Sequence, residues 1–407
     1  MGMEVLAKPE EVGLSSKRLA RIRPWLRGYL ETGKLPGATT LVARHGKVVF
    51  CESEGFRDLE ATKTMTADTI LRFYSMTKPI TSVALMILYE AGLFQLDDPV
   101  SEFIPSFKNT RVYVSGDPDD TVSEPLQTPI TLHHLLTHTS GLTYGFGNEG
   151  PIPKLYQKHH TDFDTHDGPL EKVVERLTQI PLEFQPGHRW NYGVSSDVLG
   201  RVVEVVSGQS LDVFFREKIL DPLGMVDTGF AVPQDKADRL AALYVKNEEN
   251  DLALRENPQE SPMIGSVETF SGGSGLASTM ADYFRFTEML RRKGELDGVR
   301  LLGRKTIEYM TTNHLPGDLA DMGQLTFNET TYEGIGFGLG FSVMIDPAKA
   351  KVMGTPGEYA WGGYAGTAFW IDPQEDMTVI FLTQLIPSSA YPIRRELRVL
   401  TYQALVD

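Results

Sequence analysis

The stretch Phe73-Tyr74-Ser75-Met76-Thr77-Lys78-Pro79-Ile80-Thr81-Ser82-Val83-Ala84-Leu85-Met86-Ile87-Leu88-Tyr89-Glu90-Ala91-Gly92 decides how the rest of the chain is read. From Thr77 to Ala91 it reads as one helix, apolar on most of its sides, as a central buried helix is. Gly92 stands where the residue after a helix C-cap belongs. Two polar side chains sit at its head. Ser75 and Lys78 are three residues apart and so share a helix face. A serine hydroxyl is a weak nucleophile until a neighbouring base removes its proton. An amine drawn into an apolar helix start loses solvation, which favours its neutral, basic form. The free N–H groups and dipole at a helix N-terminus favour an oxyanion. Ser-x-x-Lys occurs once in the chain. On those four residues alone, a capped helix with a surface lysine is the plainer reading.

Outward from this helix the chain changes character twice. Upstream, Leu19, Ile22, Leu26 and Tyr29 fall at helical spacing over Ser15 to Leu30, with Pro24 against a continuous helix. Two β-rich runs, Ala38 to Arg44 and Lys47 to Glu52, flank His45-Gly46 and predict a hairpin. Cys51 in the second run reads as a small buried residue. Downstream, helices are predicted over 130–136, 170–177, 195–207, 211–219 and 280–292. Strands follow over 338–345, 358–362, 367–371 and 377–383, then an amphipathic helix over 391–405. β-type material thus lies at both ends of the chain and helical material in the middle. The expected class is α+β: an antiparallel sheet flanked by helices, plus an inserted all-helical domain. Residues 1–74 and 335–407 would form the discontinuous α/β domain. Residues 75–334 would form the mainly helical one, carrying the Ser75 helix at the interface.

Composition narrows the function classes. The 407 residues carry 54 acidic against 39 basic side chains, a net charge of −15, which argues against a nucleic-acid partner. A hydrophobic share of 41% with 23% charged residues fits a globular protein and not a disordered one. The single cysteine excludes an intrachain disulfide and zinc sites of several thiolates. No histidine–carboxylate set has convincing metal-ligand spacing, so no metal and no cofactor are expected. Gly116-Asp117-Pro118-Asp119-Asp120 reads as a solvated loop, without the ligand spacing of an EF-hand. No run approaches the roughly 20 apolar residues of a membrane span. The first ten residues lack a basic region followed by an apolar one, so the expected location is cytoplasmic. The sequence leaves the oligomeric state open.

Further blocks repeat the theme of a serine enzyme. There is no Gly-x-Ser-x-Gly elbow, which disfavours an α/β-hydrolase. Instead come Ile130-Thr131-Leu132-His133-His134-Leu135-Leu136-Thr137-His138-Thr139-Ser140-Gly141-Leu142, then Phe184-Gln185-Pro186-Gly187 with Trp190-Asn191-Tyr192-Gly193, then Asp221-Pro222-Leu223-Gly224-Met225, then Trp361-Gly362-Gly363. With Ser75-Met76-Thr77-Lys78, these resemble the serine β-lactamase and penicillin-binding-protein superfamily, for which Ser-x-x-Lys is a signature. The closest likeness is to serine carboxylesterases of family VIII, which have a class C β-lactamase fold. The resemblance runs over roughly residues 10 to 400.

The resemblance implies Ser75 as nucleophile, with Lys78 and Tyr192 as its base pair. A phenol can pass a proton between nucleophile and leaving group when a cation favours its ionisation. It also implies an oxyanion hole made by the N–H groups of Ser75 and Tyr364, and a pocket lined by Trp361. Gly362 and Gly363 let a backbone approach a substrate closely. Tyr144 and Phe146 are candidates for the pocket wall as much as for loop packing. His133, His134 and His138 read as structural. Ser271-Gly272-Gly273-Ser274-Gly275 lacks the lysine of a P-loop and reads as a turn framing the cleft. Two positions depart from β-lactamases. Val194 stands where their Tyr-x-Asn motif has asparagine, and Trp361 begins the segment where they have Lys-Thr-Gly. Both departures argue against efficient β-lactam hydrolysis. The implied activity is hydrolysis of short-chain acyl esters, small-molecule substrates, through an acyl-enzyme. The alternatives are an acyltransferase acting on an alcohol, a weak β-lactamase or D-alanyl peptidase, and a scaffold without turnover.

Overall fold

The computed structural model describes residues 5–247, 249, 251–327 and 330–407. Residues 1–4, at the head of the segment read for a leader, lie outside the described residues. An eight-stranded sheet organises the molecule. Its strands are β1 (Gly37–Arg44), β2 (Lys47–Asp58), β3 (Lys63–Thr64), β4 (Ile335–Phe337), β5 (Ser342–Met344), β6 (Tyr359–Gly362), β7 (Ala368–Asp372) and β8 (Met377–Thr383). They lie in the order β4-β5-β6-β7-β8-β1-β2-β3. All neighbours are antiparallel.

The join between the two chain ends is β1 against β8, running from Ala38↔Thr383 to Arg44↔Met377. Every residue of both strands is buried, so this seam is covered on both faces. Side chains alternate between the faces of a strand. Ala38, Val42, Val379, Phe381 and Trp370 accordingly pack on one side. Leu41, Ala43, Ile380, Leu382 and Phe369 pack on the other, in the larger core.

The helices used below are α1 (Ile22–Glu31), α2 (Thr77–Glu90), α3 (Leu132–Leu136), α4 (Leu170–Leu177), α5 (Ser195–Ser207), α6 (Met280–Arg291) and α7 (Ile393–Tyr402). The first-described side of the sheet is covered by α1 and α7. They are tied by Glu396, which accepts from Trp25 Nε1 at 2.6 Å and from the Tyr29 hydroxyl at 2.8 Å. Pro24 is the third residue of α1, in the first turn, where its missing N–H breaks no helical bond. A separate short turn, Ser16–Leu19, precedes it, so the expected single helix is two pieces. On the other side lie α2 and α6, and behind them the helical segments. In α2, eleven of fourteen residues are buried, Lys78 among them.

Elements beyond the sequence reading are polar and partly exposed. Hairpins form over Arg111–Ser115 with Val122–Pro125 and over Leu243–Lys246 with Leu252–Glu256. A helix, Pro151–His159, occupies a stretch where no helix is predicted. The predicted strand over 338–345 is shorter, because Gly340 sits at φ 94, outside the extended region. Among the described residues, no helix is long and apolar enough to cross a membrane.

Candidate active site

Ser75 is delivered by a clamp of short contacts. Leu71–Arg72 pairs with Ala277–Ser278, and the Phe73 N–H donates to Leu276 O at 2.9 Å. The buried Arg72 side chain is held by an ion pair with Glu256 and by Ala241 O. Tyr74 then takes a left-handed φ of 43°, an unfavourable conformation for a residue with a Cβ. Such strain costs on the order of 1–3 kcal/mol and persists only where packing enforces it. A 3-10 turn, Tyr74–Met76, leads directly into α2, so Ser75 stands at the helix mouth.

Lys78 lies beneath it and is 1% exposed. Its Nζ is 3.3 Å from Ser75 Oγ, 2.8 Å from the Tyr144 hydroxyl and 2.8 Å from Gly273 O. An ammonium has three donors, and its neutral form has two and a lone pair. The two shorter contacts and the serine hydroxyl share the three positions around Nζ. That is the geometry in which an amine accepts the nucleophile's proton.

Tyr192 is brought in from far along the chain. Asn191 N donates to His138 O, Val194 N donates to Thr143 O, and Asn191 Nδ2 donates to Leu142 O. A Cβ on Gly193 would lie 2.7 Å from Leu142 O and from Thr143 Cα, so glycine permits this close crossing. The crossing sets Tyr192 and Tyr144 side by side, ring centroids 5.5 Å apart. The Lys78 amine lies over the Tyr192 ring at 4.6 Å. Trp190 stacks on one face of that ring, and His138 and Trp361 pack at 5.1 and 5.4 Å. His138 is fully buried. Burial first, then the Lys78 charge, holds it well below the usual histidine range, so it is a neutral packing partner.

Tyr144 has a larger part than the sequence reading gave it. Its hydroxyl is a direct partner of Lys78, and burial holds it well above the ordinary phenol range. Phe146 stacks on Tyr144 at 4.7 Å and reaches Tyr364 at 5.8 Å. Phe146 and Tyr364 are 47% and 42% exposed, so this pair forms an aromatic rim open to solvent.

The turn between β6 and β7 is pressed against the nucleophile's segment. A Cβ on Gly363 would lie 2.3 Å from Phe73 O and 2.3 Å from Thr367 Oγ1. Only glycine lets the next residue, Tyr364, come this close, and its ring meets that of Tyr74 at 6.0 Å. Gly362 is similarly constrained by Arg394 from α7. Direct contacts thus join Ser75, Lys78, Tyr144, Tyr192, Trp361, Phe146 and Tyr364, with Gly362 and Gly363 in the turn just before Tyr364. Sequence reasoning missed Asp197. It is 1% exposed and accepts from Ser271 Oγ at 2.5 Å and from Gly273 N at 2.9 Å. Its position five residues after Tyr192, directly before the apolar run Val198, Leu199, Val202 and Val203 of a buried helix, was the available signal.

The family model described as Beta-lactamase matches residues 22–403. Esterase EstB of Burkholderia gladioli is 32% identical over 374 residues, 87% of each chain. Lovastatin esterase of Penicillium rubens is 30% identical, over 88% of this chain and 90% of its own. Among solved structures, EstCE1, described as a hydrolase with promiscuous acyltransferase activity, superposes with a TM-score of 0.81. It is 27% identical and covers 95% of this chain and 99% of its own.

Proposed function

The chain belongs to the Beta-lactamase family, and from that premise we propose that it is a serine carboxylesterase acting on short-chain acyl esters. The observation that carries the reading is the Lys78 amine, 3.3 Å from Ser75 Oγ with two other contacts at 2.8 Å. In this reading Ser75 Oγ attacks the ester carbonyl as its proton passes to the Lys78–Tyr192 pair. The N–H groups of Ser75 and Tyr364 hold the oxyanion. Collapse expels the alcohol, which takes its proton through Tyr192. Water then attacks the acyl-enzyme with the same base, and Ser75 is restored with release of the acid.

The aromatic rim supports a small apolar acyl or aryl group. Phe146, Tyr364 and Tyr144 offer ring faces at the cleft, and Trp361 packs on Tyr192. The same reading keeps residues 1–74 with 335–407 as one unit and 75–334 as the mainly helical other, with Ser75 at their meeting.

The test is hydrolysis of p-nitrophenyl acetate and butyrate by purified protein and by Ser75→Ala. Turnover that survives in the variant contradicts the mechanism. An acyltransferase is the second reading, favoured by the EstCE1 likeness. Adding an alcohol acceptor and measuring ester against free acid separates the two, because a transferase diverts most of the acyl group even in water.

A further inference from the structure

The glycine-rich turn Ser271–Gly275 meets the Lys78 amine through Gly273 O, but the buried Asp197 behind it has no part in the reaction as derived above. We propose that Asp197 is a positioning residue for the Lys78 base, acting through Ser271 and the peptide between Gly273 and Ser274. The inference rests on the serine-esterase reading and deepens it.

The contacts form an unbroken chain. Ser271 Oγ donates to Asp197 Oδ1 at 2.5 Å. The Ser274 N–H donates to Ser271 Oγ at 3.0 Å. That N–H and Gly273 C=O belong to one peptide group. Gly273 O then accepts from Lys78 Nζ at 2.8 Å. Each bond polarises the next, and a charged acceptor at the end strengthens the chain. Asp197 also takes the Gly273 N–H at 2.9 Å, so the turn is held on both sides of the carbonyl that meets the amine.

The sequence of the turn follows from this packing. A Cβ on Gly273 would lie 2.3 Å from Asp197 Oδ2, and one on Gly272 would lie 2.6 Å from Ser196 O. Thr81 Oγ1 donates to Gly272 O at 2.6 Å, and Leu276 N donates to Thr77 Oγ1 at 3.1 Å, fastening the turn to α2. Asp197 sits on α5, directly after the Tyr192 segment. One carboxylate therefore fixes the turn that holds the amine and stands on the element that follows the phenol.

A buried carboxylate needs compensation, and its bonds here come from one hydroxyl and one amide. Burial pushes the Asp197 carboxyl up, and the Lys78 charge pulls it back toward the carboxylate. The titratable groups around the amine are Ser75, Tyr144, Tyr192, His138 and Asp197, with Asp162 behind Tyr144. Asp197 is the fully buried acid among them. Its hydrogen bonds, passed through the turn, aim the amine at Ser75.

Charge and aim can be separated. Asp197→Asn removes the charge and keeps an acceptor, whereas Ser271→Ala keeps the charge and cuts the chain. Hydrolysis of p-nitrophenyl butyrate is measured across pH for wild type and both variants, with thermal unfolding midpoints alongside. Both variants are expected to lose about tenfold or more in kcat with KM within twofold. In both, the loss falls on kcat and spares KM, because a loosened turn spoils the aim of the amine and leaves the substrate pocket untouched. Wild-type kcat in folded Asp197→Asn would overturn the inference and leave the esterase reading standing. If that variant does not fold, Ser271→Ala decides: kcat within twofold of wild type overturns the proposal. A wild type inert toward the ester overturns the esterase reading, and this inference with it.

Discussion

Replacing Gly363 by alanine is the sharpest perturbation of the cleft. The added Cβ would stand 2.3 Å from Phe73 O and from Thr367 Oγ1. An ordinary non-bonded contact needs about 3.5 Å, so the turn must retreat by roughly 1 Å. Phe73 O is backbone, two residues before the nucleophile, and cannot swing aside. On the proposed assignment, the turn carries the Tyr364 N–H away from the oxyanion. Losing one such donor costs about 10²–10³ in kcat, and a 1 Å misplacement near the chemistry costs about 10²-fold. Overpacking of this kind costs about 1–3 kcal/mol of stability, which a folded protein can carry. The assay is kcat and KM for p-nitrophenyl acetate, whose small acyl group makes few contacts with the pocket. The expected result is a fall of about 10²-fold or more in kcat with KM nearly unchanged. A folded Gly363→Ala enzyme within threefold of wild-type kcat would refute the assignment of Tyr364 N–H to the oxyanion.

Four other outcomes follow from the contacts described above. Tyr144→Phe removes a 2.8 Å partner of the Lys78 amine and should lower kcat about 10- to 100-fold, as loss of a bond to a charged group does. Tyr192→Phe should cost more, about 10²–10⁴-fold, because it removes the proposed proton carrier; the reverse order would exchange their roles. Asp162 accepts the Gly145 N–H, and burial pushes its carboxyl up to about 6. Folding therefore opposes its charge above that pH and is relieved as pH falls from about 6 toward the unfolded value of 3.8. Asp162→Asn should thus melt higher than wild type at pH 7.5, and the gain should vanish near pH 4. His133 is held down to about 4 by burial, then by His314 and His134. Its contribution is present above its ordinary value of 6.5 and is lost as pH falls toward about 4. His133→Gln should flatten the drop in melting temperature across that interval; an unchanged slope would place the acid sensitivity elsewhere.

The sequence made the buried elements readable and hid the half-exposed ones. Helix α2 could be read because its apolar residues run on nearly every side and Gly92 ends it. Strands β1 and β8 were legible as short β-branched runs that need no alternation when both faces are covered. The hairpins at residues 111–125 and 243–256 carry mixed polar residues such as Tyr113-Val114-Ser115 and Lys246, without a clean period of two. Helix Pro151–His159 begins with two prolines in three residues, which look like a breaker but suit a first turn. Ser75 and Lys78 share a helix face by spacing, but that spacing alone suits a capped helix, and the family likeness made them a catalytic pair. Tyr192 and Tyr364 have no local signal for their places and came from the family likeness. Tyr144 was noted only as a possible wall, since nothing local says that its hydroxyl meets an amine 66 residues upstream. Asp197 hid for the same reason: its partners, Ser271 and Gly273, lie 74 and 76 residues away.

The central claim is that Ser75 carries the acyl group, made nucleophilic by an amine one helical turn below it. The direct measurement is an acid quench of the enzyme during turnover of p-nitrophenyl butyrate, followed by peptide mass spectrometry. The account predicts one butyryl group per chain on the peptide containing Ser75, and none there in Lys78→Ala on the same timescale. An acyl group found on another side chain, or full turnover with Ser75 never modified, would contradict it.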